Sequence, residues 1–165
     1  MTGMEIAVRL ALSAPGAALD RFCVRWLGHS PVVWLFTRSD GAAYNRPLLL
    51  TSVGRRTGRP RSVVLPYFDL DRGRIAIVGS RGGMPTDPHW ARNLIVEPEA
   101  LIRARRIAHA VRARRVEGDE RARLWKKIAE RSPIYDTYQA RAAAHREIPV
   151  FVLERADGGA LGSGS

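Results

Sequence analysis

Cysteine and lysine are nearly absent from this sequence. Cys23 is the only cysteine, so no intramolecular disulfide can form and no thiol cluster is available to bind zinc. Lys126 and Lys127 are the only lysines, so arginine supplies nearly all of the formal net charge of +11. The lack of disulfides favours a reducing cytoplasm. The arginine excess indicates an anionic partner, because guanidinium groups bind phosphate and carboxylate bidentately, although such usage is also typical of a high-GC genome.

Long apolar runs are missing too. No run approaches the roughly 20 residues that a membrane-spanning helix needs, so the sequence predicts no transmembrane segment. Residues 6–19 are moderately apolar, but Arg9 and Pro15 interrupt them and no Lys or Arg precedes them. We therefore expect no signal peptide.

Familiar catalytic and nucleotide-binding motifs are also absent. The sequence has no G-x-G-x-x-G and no G-x-x-x-x-G-K-[ST] pattern, which excludes the usual dinucleotide and P-loop sites. The sequence has four histidines, His29, His89, His109 and His145. Their spacing is not that of metal ligands, and they form no grouping typical of a hydrolase. We therefore predict no metal site.

The length of 165 residues fits one domain with a helical segment before it and a tail after it. Residues 1–28 predict helix in two pieces, divided at 13–16. We predict that residues 29–155 form the folded domain. Residues 156–165 consist mainly of Gly, Ser and Ala, which predicts a disordered tail.

One stripe of the N-terminal helical segment is apolar. We expect this stripe to cover the core of the folded domain, and its members are Leu19, Phe22, Cys23, Trp26 and Leu27. The alternative is that Arg9, Arg21 and Arg25 beside it bring the helix to an anionic membrane surface as a peripheral contact.

Short β-like runs dominate the folded domain. Turn residues bound each run, and the predicted strands are 32–36, 47–53, 61–70, 74–79, 100–106, 108–116 and 148–154. We expect the first four to form an antiparallel meander, with a hairpin connection at Asp71 to Gly73 and a longer basic one at Gly54 to Pro60. Helices are predicted to begin at Asp87-Pro88, Gly118-Asp119 and Ser132-Pro133. Because no βαβ alternation is visible, the pattern predicts a mainly β fold with helices (α+β), namely a small closed or split β-barrel.

The connection within residues 51–61 has the composition of an anion cradle. Gly54 and Gly58 would let the backbone approach a ligand, Ser52 and Thr57 can donate hydrogen bonds, and four guanidinium groups can bind phosphate oxygens, those of Arg55, Arg56, Arg59 and Arg61. The alternative, a solvated basic hairpin tip, stays open.

A second glycine-rich segment, residues 78–85, leads into the helix that carries Trp90 and Asn93. Gly82 and Gly83 would allow a flat ring to contact the backbone, Ser80 could hydrogen-bond to it, and Trp90 could wall the pocket. The alternative is that Trp90 belongs to the core.

Together, these segments resemble the deazaflavin-dependent nitroreductase family. The resemblance rests on the order and spacing of four runs, LLLTSVGRRTGRPR at 48–61, SRGG at 80–83, PHWARNL at 88–94 and IPVFVLE at 148–154. It implies a split β-barrel like that of FMN-binding proteins. It also implies binding of the reduced 8-hydroxy-5-deazaflavin coenzyme F420, with FMN as the alternative cofactor.

The family pattern also implies which residues contact the coenzyme. The basic turn holds the phosphodiester and oligoglutamate tail, which falls here on Ser52, Arg55, Arg56, Thr57, Arg59 and Arg61. The strand and the Ser-basic-Gly-Gly segment hold the ring, which falls here on Val64, Leu65, Val78, Ser80, Arg81 and Gly82, with Trp90 and Asn93 nearby.

Three positions depart from the family pattern. Arg81 stands where lysine is common, and a planar fork is not equivalent to a compact ammonium group. Proline usually occurs at the position of Val64, whereas this chain has it at Pro66. Ser132 replaces one tyrosine of the substrate helix, which argues against nitroimidazole reduction.

The resemblance implies an oxidoreductase, a quinone reductase or nitroreductase that passes a hydride from reduced F420 to a small acceptor, namely a quinone, enone or nitroaromatic compound. Tyr135 or Tyr138 could donate the proton, and Ser80 could hydrogen-bond to the substrate oxygen. The alternative for both tyrosines is a helix face packed on the barrel.

Two rival functions remain open at this point. The first is a non-enzymatic split-barrel binder of FMN, haem or lipid. Nucleic-acid binding ranks last, because no aromatic residues interleave with the basic strands. The sequence does not distinguish a monomer from a homodimer.

Overall fold

The computed structural model describes residues 13–34 and 45–161. Within them lies one antiparallel sheet of seven strands, β1 (Pro47–Val53), β2 (Pro60–Pro66), β3 (Phe68–Asp69), β4 (Ile75–Val78), β5 (Glu99–Ala104), β6 (Ile107–Val116) and β7 (Val150–Arg155). The helices that lie wholly within these residues are α1 (Ala14–Leu27), α2 (His89–Val96), α3 (Gly118–Arg131) and α4 (Ile134–Ala142). None of the helices in the described segments is long and apolar enough to span a bilayer.

The sheet curls because its two edge strands are consecutive in sequence. The strand order is β2-β1-β5-β6-β7-β4-β3, so β2 and β3 lie at opposite edges with Tyr67 alone between them. The β1–β2 ladder ends at Pro47 opposite Pro66, where neither residue has an N–H group to donate. The chain then turns at the buried Tyr67, whose N–H donates to the carbonyl of Arg46 (3.1 Å). β2 also contacts β4, which makes the sheet a half-barrel.

The predicted meander is wrong at two places: the run 61–70 forms two strands at opposite edges instead of one, and the described part of the run 32–36 is not a strand. The hairpin connections at 54–59 and 71–73 are confirmed, as are strands close to the predicted bounds 47–53, 74–79, 100–106, 108–116 and 148–154.

Two apolar clusters lie on opposite faces of the sheet. The inner cluster fills the barrel with residues such as Leu48, Leu50, Phe151 and Leu153. The outer cluster joins the sheet to α3 and α4, and Val150 and Val152 belong to it. Successive residues of β7 thus face alternate clusters, which explains why this strand is apolar throughout.

The predicted strand at 32–36 is wrong for its described part. Residues 31–34 form a helical turn, in which the hydroxyl of Ser30 accepts a hydrogen bond from the Val33 N–H (2.9 Å). A serine followed by Pro31 is a favourable helix start, and it overrides the β propensity of the valines. Residues 35 and 36 lie outside the described residues.

The apolar stripe of α1 does not cover the core. Leu19, Phe22, Trp26 and Leu27 are each more than half exposed, and Asp20 and Val24 are buried instead. Asp20 is buried because its carboxylate accepts hydrogen bonds from the Ser30 hydroxyl (2.7 Å) and the Val32 N–H (3.2 Å). This polar network, which amphipathicity does not reveal, decides which face of α1 points inward. Membrane contact by the exposed stripe stays a prediction.

The start of the predicted tail packs against the barrel. Leu161 is 6% exposed, belongs to the inner cluster, and donates its N–H to the carbonyl of Gly73 (2.6 Å). A side chain at Gly73 would overlap Ala160. Residues 156–161 are therefore not a free tail, and residues 162–165 lie outside the described residues.

We predict that Leu161→Ala lowers the free energy of unfolding by about 2–4 kcal/mol, because it removes a buried side chain and leaves a cavity. Chemical denaturation measures this change. Leu101→Ala is the matched control, because Leu101 is 57% exposed on β5, and its effect should stay below about 1 kcal/mol. Equal effects from the two variants would contradict the packing of Leu161.

Candidate functional site

A cavity of about 570 Å³ opens at the end of the barrel where β1 ends and β2 begins. Four arginines surround it, together with one histidine and one tryptophan. Its lining residues are Gly54, Arg55, Arg56, Thr57, Arg61, Ser62, Val63, Arg81, Pro88, His89, Trp90 and Asn93.

The basic loop between β1 and β2 owes its compact form to two glycines. The carbonyl of Gly54 accepts hydrogen bonds from the N–H groups of Thr57 (3.0 Å) and Gly58 (2.8 Å). A Cβ at position 54 would lie 3.1 Å from the carbonyl oxygen of Arg59, and Gly58 has a φ of +65°. Both features favour glycine, and the resulting tight turn concentrates arginine side chains at the cavity.

Asn93 attaches this loop to α2. Its side-chain oxygen accepts hydrogen bonds from the backbone N–H (3.2 Å) and the guanidinium group (3.3 Å) of Arg55. Its amide nitrogen donates to the hydroxyl of Ser52 (3.3 Å). Asn93 and Ser52 are both buried. Ser52 therefore supports Asn93 and does not line the cavity.

The second glycine-rich segment forms a 3-10 turn, Arg81–Gly83, on the other side of the cavity. Arg81 lines the cavity, and its guanidinium group donates to the Thr86 hydroxyl (2.8 Å). Gly83 has a φ of +80°, and a Cβ there would lie 2.6 Å from the carbonyl oxygen of Tyr138. Glycine at this position lets α4 pack directly on the turn.

Arg146 fixes the position of this segment, and the sequence analysis missed it. Its side chain is 9% exposed and donates to the carbonyl oxygens of Gly79 (3.1 Å), Ser80 (2.8 Å) and Met84 (2.9 Å). It also forms an ion pair with Asp87 (2.7 Å). Asp87 was predicted to cap α2, but Pro88 occupies the N-cap position and Asp87 binds Arg146 instead. No local pattern links two residues that lie 59 positions apart.

The structure brings part of the predicted coenzyme set together. The predicted residues that line the cavity are Arg55, Arg56, Thr57, Arg61, Arg81, Trp90 and Asn93. The lining residues that the prediction missed are Gly54, Ser62, Val63, Pro88 and His89. The predicted residues outside the lining are Ser52, Arg59, Val64, Leu65, Val78, Ser80 and Gly82.

Strand geometry explains two of these differences. Val63 pairs with Leu50, a residue of the inner cluster, whereas Val64 pairs with Leu49. Val64 therefore faces the other side of β2. Val78 belongs to the outer cluster, between the sheet and the helices.

The structure does not bring the predicted catalytic tyrosines to the cavity. Tyr135 is buried in the outer cluster, where its ring packs edge-on against those of Phe68, Trp125 and Tyr138. Burial raises the pKa of Tyr135 well above its ordinary value, because a phenolate is poorly solvated there. Tyr138 packs against the same cluster. A helix face packed on the barrel, the alternative considered for both tyrosines, matches this arrangement.

Comparison with known proteins points to one family. The family model for F420H(2)-dependent quinone reductases matches residues 32–155. An F420H(2)-dependent quinone reductase of Mycobacterium tuberculosis is 37% identical over 111 residues, which cover 66% of this chain and 72% of the relative.

Two solved structures agree with this result. The F420-H2 dependent reductase FDR-A is 34% identical, with a TM-score of 0.58 over 66% of this chain and 93% of that one. A structure described as a domain-swapped dimer is 31% identical, with a TM-score of 0.59 over 76% of this chain and 100% of that one. The likeness to FDR-A confirms the predicted mainly β split barrel.

We predict that Arg146→Gln lowers the free energy of unfolding by about 3 kcal/mol, because it leaves the partly buried Asp87 carboxylate and three carbonyl groups without their donor. Urea denaturation measures the loss. Arg146→Lys should restore only part of it, since an ammonium group cannot reproduce the planar fork.

The matched control is Arg123→Gln, which removes an exposed arginine of α3. It should change the free energy of unfolding by less than about 0.5 kcal/mol. If Arg146→Gln had no larger effect than this control, Arg146 would not hold the segment.

Proposed function

Because this chain belongs to the F420H(2)-dependent quinone reductase family, we propose that it is a reductase that uses the reduced deazaflavin coenzyme F420 to convert a quinone to a hydroquinone. Enones and nitroaromatic compounds are the further acceptors that we propose to test.

The charge of the cavity is the observation that carries this proposal. Its four lining arginines form no ion pair with any carboxylate among the described residues, and the lining contains no Asp or Glu. Uncompensated guanidinium groups favour a multiply charged anion. The phosphodiester and glutamate tail of F420 has this chemistry, so the residues present fit the coenzyme.

The remaining lining suits a flat ring. Val63, Pro88 and Trp90 supply apolar surface beside the arginines. The indole of Trp90 is itself held in place, because it packs against Phe151 in the inner cluster with ring centroids 5.7 Å apart. A rigid apolar wall next to anion-binding groups would orient a ring whose tail the arginines hold.

The bound coenzyme would supply a hydride, and the chain would supply position and a proton. Arg56 and Arg61 would hold the tail, while Asn93 keeps Arg55 in place. Reduction of a quinone by a hydride also requires a proton on the oxygen. Among the described lining residues, His89 carries an imidazole, the side chain that most often serves as a general acid in enzymes. We assign the proton donation to His89 in place of the two tyrosines.

Arg56→Gln should weaken coenzyme binding by about 10- to 100-fold, since a charge-assisted hydrogen bond contributes about 1.5–3 kcal/mol. Titration of F420 followed by its fluorescence measures the change. Arg59→Gln is the matched control, because Arg59 lies in the same loop outside the cavity lining.

Equal weakening by Arg56→Gln and Arg59→Gln would contradict the assigned site. Failure of the unmodified protein to bind F420 or oxidise it in the presence of menadione would contradict the function. A flavin or haem absorbance band in the purified protein would favour the non-enzymatic alternative.

His89→Gln should lower kcat with menadione by about 100-fold or more and leave coenzyme affinity nearly unchanged, because loss of a general acid affects the chemical step. Steady-state kinetics together with the fluorescence titration separate the two effects. His145→Gln is the control, because His145 is exposed and does not line the cavity. An unchanged kcat for His89→Gln would remove His89 from the mechanism.

A further inference from the structure

A second basic cavity, of about 450 Å³, lies at the opposite end of the β1–β2 ladder from the candidate site. It is bounded by the end of α1, the start of β1, the end of α3 and the β5–β6 turn. Four arginines line this second cavity: Arg46, Arg105, Arg106 and Arg131. The ladder runs from Pro47 to Val53, which separates the two cavities by about 20 Å at the usual rise of a strand.

The charge of this second cavity is largely uncompensated. Arg105 contacts Asp69 (3.4 Å) and donates to the hydroxyl of the buried Tyr67 (3.4 Å). Arg46, Arg106 and Arg131 form no ion pair within the part of the chain that the structure describes. Three guanidinium groups are therefore available to an anion.

The β5–β6 turn holds two of these arginines in a backbone conformation that arginine rarely adopts. Arg105 has a φ of +49° and Arg106 a φ of +70°. A two-residue turn with both φ values positive favours Asn-Gly. The chain thus has two charged side chains where an uncharged pair would form the turn more easily.

Neighbouring contacts hold the other walls in place. The Asn45 amide donates to the hydroxyl of Ser132 (2.8 Å), and both residues are buried. This bond fixes the backbone next to Arg46 and next to Arg131. Gly28, with a φ of +72°, lets the stem of Arg106 approach α1, because a Cβ there would lie 3.2 Å from its Cγ.

We propose that this second cavity binds a phosphate group. Guanidinium groups match phosphate oxygens bidentately, and the described lining contains no carboxylate. Two kinds of ligand carry such a phosphate group: a small phosphorylated molecule in solution, and an acidic phospholipid, which carries it in its head group. An apolar groove adjoins the cavity through Leu27 and His29 and includes Trp34, so it could receive a hydrocarbon chain.

Pyrophosphate titration of ¹⁵N-labelled protein tests the proposal by NMR. We expect saturable shifts of the backbone amides of Arg46, Tyr67, Arg105 and Arg106, resolved from any shifts at the Gly54 loop. Arg106→Gly should weaken this binding at least about tenfold. Its melting temperature should be unchanged or higher, because glycine adopts a positive φ without strain.

Arg72→Gly is the matched control. Arg72 also has a positive φ, of +61°, but it lies in the β3–β4 turn outside this cavity. It removes the same charge and the same backbone strain. Equal weakening by Arg72→Gly and Arg106→Gly would overturn the proposal, because it would show that net charge alone attracts the anion.

Sedimentation with vesicles distinguishes the two sources. Vesicles of phosphatidylcholine with phosphatidic acid should bind the protein if the phosphate is a lipid head group, and Arg106→Gly should abolish that binding while Arg72→Gly should not. Pyrophosphate shifts without vesicle binding would identify a soluble ligand. Absence of both pyrophosphate shifts and Arg106-dependent vesicle binding would overturn the proposal.

Discussion

Four guanidinium groups around one cavity repel one another, and the candidate site depends on the hydrogen bonds and the ion pair that hold them there. Asn93 secures one side of the cavity through Arg55 and Ser52. Arg146 secures the other side through three carbonyl groups and Asp87. Partly buried polar contacts of this kind are strong only when every partner is satisfied. Ser52 and Arg146 lie outside the cavity lining, and Asn93 lines the cavity but carries no charge. Charge at the site and rigidity beneath it are thus supplied by different residues.

Local chemistry made part of this site predictable. The loop from Gly54 to Arg61 combines tight turns, which need glycine, with side chains that bind anions, and both properties can be inferred from neighbouring residues alone. The start of α3 was predictable for the same reason, whereas the β5–β6 turn was not, because Arg105 and Arg106 form it and neither is a typical turn residue. The resemblance to the deazaflavin family then predicted that the segment with Arg81 and the helix with Trp90 lie beside this loop. Local chemistry could not predict this, because both are far from the loop in sequence. Without that resemblance, a solvated basic tip was an equally good interpretation of the loop.

The predictions that were wrong share a different cause. Tertiary contacts decide which face of a strand or helix points inward and which distant residues become partners. A shift of one residue exchanges the two faces of a strand, and this separates Val63 from Val64. Tyr135 was predicted as a candidate proton donor, but the rings of Phe68 and Trp125 pack against it in the outer cluster. In α1 the hydrogen bonds of Asp20 outweigh the hydrophobic stripe. Because each case depends on contacts between distant segments, composition and periodicity could not decide it.

The partners and the burial of each arginine show what the arginine excess does in this protein. Arg121 is buried and the side chain of Arg146 is only 9% exposed; both are paired with carboxylates and bonded to backbone carbonyls, so they serve the fold. Burial lowers the pKa of Arg121, because a charged guanidinium group is poorly solvated there. The arginines of the two cavities are mostly exposed and, apart from Arg105, lack carboxylate partners among the described residues. A high-GC genome would raise arginine content everywhere, and arginines without an ion pair do occur elsewhere among the described residues, for example Arg103 and Arg123. The cavity arginines differ from those others in that several of them line one common space without a carboxylate in its described lining, which is the arrangement that an anion would stabilise.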